Sequence, residues 1–147
     1  VSGLPNGTLL SQGKTATAQT QQAASPANYA NDGNYQREWV ASGASWPHWW
    51  KVELGSVHNI QNVQIAWYMV NGSEAFYKYK IETSTDNVNW TVALDRTGNT
   101  TYGFTSDTLN AQARYVRINL VDADLWNNPG NWYTPQLWEV KVFGSGM

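Results

Sequence analysis

The chain has 147 residues, a formal net charge of −2 and only 14% charged residues, which gives no electrostatic ground for binding nucleic acid or an anionic membrane. It has no cysteine, so disulfides, Cys-ligated zinc and thiol catalysis are excluded together. Nine Trp, eight Tyr and three Phe make it aromatic-rich, no apolar run approaches the roughly 20 residues of a membrane-spanning helix, and the length suits one domain over residues 1–147.

The pattern is strand-like nearly throughout. A first strand is predicted around residues 14–20 and a short one at 39–42. From there apolar and polar positions alternate with period two. Trp50, Val52 and Leu54 oppose Lys51 and Glu53, and Val63, Ile65 and Trp67 oppose Gln64, Ala66 and Tyr68. Tyr79, Ile81 and Thr83 oppose Lys78, Lys80 and Glu82, and Trp90, Val92 and Leu94 repeat the rule. Val116, Ile118 and Leu120 follow, and Trp138, Val140 and Val142 alternate with Glu139 and Lys141. No long helical period appears. Many short strands, each with one polar face, predict an all-β antiparallel sandwich with Trp39, Trp50, Trp67, Trp90 and Trp138 in its core. No secretory leader is read at the start, which suits a mature chain or a piece excised from a larger protein. Asn6, Asn71, Asn89 and Asn99 head Asn-x-Ser/Thr triplets, glycan acceptors only in a eukaryotic secreted protein.

Antiparallel strands reverse direction, so alternate loops fall at one end of the sandwich. The loops at 68–77 (YMVNGSEAFY), 97–103 (TGNTTYG) and 122–135 (DADLWNNPGNWYTP) are long or medium and rich in aromatics. Those at 86–89 (DNVN) and 109–113 (LNAQA) are short. Parity therefore gathers the long loops, with 42–47 (SGASWP), at one end. Loops longer than a turn requires are usually functional.

Several segments resemble the discoidin, or factor V/VIII type C, domain family, and within it the family 32 carbohydrate-binding modules of bacterial polysaccharide-degrading enzymes. GKTATAQT resembles the family's first strand, YANDGNYQREW its Asp-Gly loop, and WPHWWKVELG its tryptophan strand. YKIETSTDNVNWT is similar to its Ser-x-Asp-x-x-x-Trp hairpin, and ARYVRINL and LWEVKVFG to its last strands. The resemblance implies a jelly-roll sandwich and a secreted or cell-surface bacterial module. It also implies an oligo- or polysaccharide partner, attachment to the catalytic domain of a larger enzyme, and a monomer.

The resemblance also implies one structural Ca²⁺. Carried over position by position, its ligands are Asp32, the carbonyls of Tyr29 and Asn34, and Glu139. Calcium takes six to eight oxygens, several of them backbone carbonyls in a tight loop, and Gly33 permits the turn. Where the family has a threonine, five residues after the Asp, this chain has Arg37. Arg37 has only its carbonyl to offer, and its guanidinium, turned inward, would replace the ion by pairing with Asp32 or Glu139.

Sugars present apolar CH faces and a rim of hydroxyls, met by flat rings and by planar amides or carboxylates. The candidate ligand residues are Tyr68, Asn71 and Glu74 in one loop and Trp126, Asn128, Trp132 and Tyr133 in another, with Trp46, Tyr35 and Tyr102 as neighbours. Glu74, Asp122 and Asp124 favour a neutral or amino sugar, such as the glucosamine of chitosan, over an anionic one. Catalysis is not expected. His48 and His58 fall at opposite ends, and no nucleophile elbow or phosphate loop is present. The alternative is a discoidin-type adhesion domain with Met69, Val70 and Phe76 as an apolar spike, against which the acidic flanks weigh.

Overall fold

The computed structural model describes residues 7–34, 36–43, 46–67, 75–101, 103–125 and 135–146, with the backbone alone at 75, 124 and 125. The strands among them are β1 (Thr8–Leu9), β2 (Thr15–Ala18), β3 (Trp39–Val40), β4 (His48–Ala66), β5 (Ala75–Ser84), β6 (Thr91–Arg96), β7 (Phe104–Leu125), β8 (Gln136–Leu137) and β9 (Glu139–Gly146), with a 3-10 turn at Ala27–Asn31. The pairings are antiparallel, as expected. One sheet runs β1-β9-β4-β7-β5-β6 with β2 also on β4, and β3 pairs β8 separately.

That sheet is doubled over on itself. Tyr79 of β5 lies opposite Leu120 of β7, and Leu120 is thirteen residues along β7 from Asp107. In a flat strand at about 3.3 Å per residue the two would stand about 43 Å apart. Yet the Tyr79 hydroxyl donates directly to Asp107 Oδ2. The β4 and β7 pair must therefore fold back, and it does so at the register shift between Glu53 and His58, beside Gly55 at φ 93°. The two halves become the two layers of the sandwich. Trp50, Val52, Val116, Ile118, Tyr79 and Ile81 face inward from one half and Ile60, Val63, Ile65, Val140 and Val142 from the other, all fully buried in one cluster.

Two expectations are corrected. Residues 109–113 are not a loop, because β7 continues through them, with Ala111, Gln112 and Ala113 paired to Ile60, Asn59 and His58. The corner is made by bending a strand pair rather than by a connection. Secondly, Trp90 and Val92 are not core: Trp90 is half-buried and Val92 is exposed. A bulge passes over Ala93, so Leu94 pairs with inward Ile81 while Val92 pairs with Glu82. The single extra residue reverses the parity of the strand. Trp90 instead lies on the outer face beneath the Arg117 guanidinium, 4.0 Å from its ring, and Arg117 Nε donates to Glu82 Oε1 at 2.6 Å. Trp39, Trp50, Trp67 and Trp138 are buried as read from the sequence.

At the end away from the long loops, Asp86 organises the β5–β6 turn. Its Oδ1 accepts the Val88 and Asn89 amides at 2.9 and 2.8 Å, and Oδ2 accepts Asn89 Nδ2 at 2.7 Å. These donors, the Asn89 amide foremost, hold its carboxyl well below the usual range. With the folded pKa depressed, its contribution is full above the unfolded value of about 3.9 and is lost as pH falls toward the folded one. Asp86→Ala should therefore lower the melting temperature at pH 7, and the gap to wild type should narrow in melts taken near pH 3.

Candidate functional site

The stems of the long loops meet at one end, around Tyr77 of β5. Its ring stacks on Trp67, the residue after β4, with centroids 4.7 Å apart and planes at 18°. Trp46, which leads into β4, approaches the same ring at 6.3 Å. Tyr77 Oη accepts the amide of Gln136, at the exit of the longest loop, at 3.2 Å, and its carbonyl accepts Asn99 Nδ2 of the 97–103 loop at 3.0 Å. The Trp67 amide donates to Gly103 O at 2.9 Å, and Ala41 N donates to Pro135 O at 2.9 Å. The stems of the loops at 42–47, 68–77, 97–103 and 122–135 thus meet on one aromatic base, the bend in β4 and β7 supplying the reversal that the sequence pattern assigns to 109–113. The sequence pattern puts Tyr77 at the end of the 68–77 loop, whereas it lies inside β5, fully buried.

Tyr68, Asn71, Glu74, Trp126, Asn128, Trp132 and Tyr133, with Tyr35 and Tyr102, lie outside the described residues. Trp46 is described and is half-buried against the core. Asp122 and Asp124 belong to the end of β7 rather than to a loop. His48 is a structural residue, 1% exposed, with Nε2 2.6 Å from Thr20 Oγ1.

The loop expected to hold a cation is described almost completely. The 3-10 turn ends at Asp32, and Gly33 follows at φ 80°, where a Cβ would also meet the Gln12 side chain at 3.0 Å. This turn aims the Gly33 amide at Glu139 Oε2, 2.9 Å away. Glu139 opens β9 and is 1% exposed, and its Oε1 has no hydrogen-bond partner. Burial, with a smaller push from the Asp32 carboxylate and an opposing pull from the Gly33 amide, raises its pKa to about 7. Asp32 Oδ1 accepts the Asn34 amide at 2.9 Å and Oδ2 accepts Arg37 Nε at 2.6 Å. The Arg37 guanidinium lies 4.1 Å over the Tyr29 ring.

Asp32 and Glu139 are thus close enough for one carboxylate to act on the other across Gly33, and Arg37, 46% exposed, pairs with Asp32. The donor set fits a hard cation at one point above all: a buried carboxylate beside a second one, with an oxygen left unpartnered. Among the described residues no third carboxylate or histidine joins the two, so the further ligands available are carbonyls. Arg37 neutralises Asp32 and leaves Glu139 Oε1 unserved.

Residues 29–118 match the family model described as NedA-like, galactose-binding domain. No curated protein matches the chain. Among solved structures, chitosan-binding module 1 of a chitosanase/glucanase from Paenibacillus sp. IK-5 is similar at 29% identity and a TM-score of 0.79, over 93% of this chain and 99% of that one. Chitosan-binding module 2 of the same enzyme, in complex with chitotriose, is similar at 25% identity and 0.78, over 92% and 99%. A family 89 glycoside hydrolase from Clostridium perfringens matches at 26% identity and 0.79, over 96% of this chain but 15% of that one. Two modules matched end to end and a segment of a much longer hydrolase agree with the doubled sheet described above: the chain belongs to the F5/F8 type C domain family, in its NedA-like, galactose-binding branch.

Proposed function

We propose that the chain is a non-catalytic carbohydrate-binding module that carries an attached, secreted glycan-active enzyme of a bacterium to a neutral or amino-sugar polysaccharide. The observation that carries this reading is the convergence of four loop stems on Tyr77, which gives one end of a rigid sandwich to long, aromatic-rich loops. Two similar structures named for chitosan binding, one of them with chitotriose bound, support the amino-sugar class. In this reading Trp126, Trp132, Tyr133 and Tyr68 supply ring faces, and Asn71, Glu74 and Asn128 meet the hydroxyl rim. Affinity electrophoresis through gels containing chitosan or galactan tests it: retardation is expected, with no new reducing ends on incubation and no sedimentation with phosphatidylserine vesicles. Vesicle binding without retardation, or release of reducing ends, would overturn it.

In the same proposal Asp32 and Glu139 hold a structural Ca²⁺, with the carbonyls of Tyr29, Asn34 and Arg37 completing the shell. The ion would supply the positive charge that Glu139 lacks and fix the loop to β9. Calcium at millimolar concentration should raise the melting temperature of EDTA-treated protein. Glu139→Gln should abolish the rise. Arg37→Thr should strengthen calcium binding about tenfold by removing a competing cation and adding a hydroxyl, which corresponds to about 1.4 kcal/mol. An EDTA-insensitive melt in both wild type and Arg37→Thr would assign the loop to the guanidinium alone.

A further inference from the structure

A second concavity lies on the flank of the sandwich, where the layers part. Among the described residues, strand β6 pairs only with β5, and the first half of β7 pairs only with β4. Both are edges, and the gap between them is a cleft of about 610 Å³, within the roughly 300–1,000 Å³ of small-ligand sites. Its floor is a fixed polar relay. Asp107 has 6% of its side chain exposed, accepts the Tyr79 hydroxyl on Oδ2, and accepts Arg96 Nε on Oδ1 at 2.8 Å. The relay orients the Arg96 guanidinium through one nitrogen. Tyr79 also hydrogen-bonds the guanidinium, and the side chain remains 44% exposed toward the cleft.

The rim is equally well held. Asn99 clamps the 97–103 loop by donating to Tyr77 O and Thr101 O and accepting the Thr101 amide. Asp95 Oδ1 accepts the Thr97 amide and hydroxyl at 2.9 and 2.7 Å. Phe104 stands at the mouth, 48% exposed. An exposed ring beside a planar cation, a carboxylate and threonine hydroxyls offers one apolar face and many in-plane hydrogen bonds, which is the chemistry of a pyranose ring. Asp107 is paired with Arg96, and Lys80 lies opposite Asp95, so the cleft carries no excess positive charge to draw in an anionic sugar. Among the described residues the cleft is lined by strand edges and one braced loop.

From this geometry we infer that the flank cleft is a second glycan subsite for a neutral or amino sugar, with Phe104 as the stacking ring and Arg96 as the hydroxyl clamp. The inference rests on the carbohydrate reading of the module but not on its loop site. Titration of ¹⁵N-labelled protein with glucosamine trimer, followed amide by amide, tests it. Shifts are expected in residues 95–107 of wild type, and these should persist in a Trp126→Ala, Trp132→Ala, Tyr133→Ala triple variant. Phe104→Ala, on a surface side chain whose loss spares the fold, should weaken the flank response at least tenfold and leave the loop response within twofold. Arg96→Gln, checked by its melting curve, should do the same. Shifts confined to residues 68–74 and 126–134, or flank shifts that vanish in the triple variant, would overturn the second subsite while the loop reading stands. Flank shifts without loop shifts would uphold the subsite and overturn the loop reading. Silence at both would overturn both.

Discussion

Trp67→Ala should cost the domain about 3–5 kcal/mol, the range for removing a fully buried tryptophan, and lower its melting temperature by about 10–20 °C. Trp67 is 0% exposed, its ring is stacked on Tyr77 at 4.7 Å and tilted against Tyr79 at 4.8 Å, and Nε1 donates to Thr105 Oγ1 at 2.8 Å. Alanine removes the aromatic contacts, opens a cavity between the layers and leaves the Thr105 hydroxyl without its donor. Because a domain is stable by only about 5–15 kcal/mol, one such change takes a large share of the total. Trp67→Phe keeps the stack and should lose less than half as much. Thermal and urea unfolding of both variants, read together, separates the packing contribution from the hydrogen bond. A Trp67→Ala protein that melted within a few degrees of wild type would show that the aromatic base does not hold the layers together.

The second large effect concerns recognition. Trp126→Ala and Trp132→Ala should each weaken binding of glucosamine trimer about thirtyfold, which corresponds to the roughly 2 kcal/mol lost when an aromatic hot spot is truncated. Melting temperatures should stay within about 2 °C of wild type, since the exit of that loop is held by Tyr77 and by the Ala41 amide on Pro135. Titration calorimetry with melting curves on the same samples distinguishes lost contact from lost fold. Retained affinity in both variants, and in Tyr68→Ala, would move the main site away from these loops.

The fold was legible in the sequence because side-chain alternation and layer membership are the same information wherever a strand is regular. Trp50, Val52 and Leu54, or Val116, Ile118 and Leu120, are buried as alternation requires. It failed where backbone irregularity intervenes. One extra residue at Ala93 turned Val92 outward and left Trp90 on the outer face. The stretch LNAQA reads as a turn because it is polar and small, whereas it runs along the bend of a continuous strand pair. Of the site, parity grouped the loops, and the Asp-Gly turn marked the cation loop. The flank cleft had no signature in the sequence, because Asp107 stands in a stretch, 104–108, that the alternation does not mark as a strand. Its partners Tyr79 and Arg96 come from two other strands, and only the doubled sheet brings them within reach.

The pairing of β1 with β9 has a consequence for how the domain is carried. Thr8 lies opposite Gly144, and Gly146 lies opposite His58, while Glu139 lies opposite Ala66 beneath the long loops. The polypeptide therefore comes in and goes out side by side at the pole remote from the loops. A domain joined at either end would meet the sandwich at that pole, like a handle on a stamp.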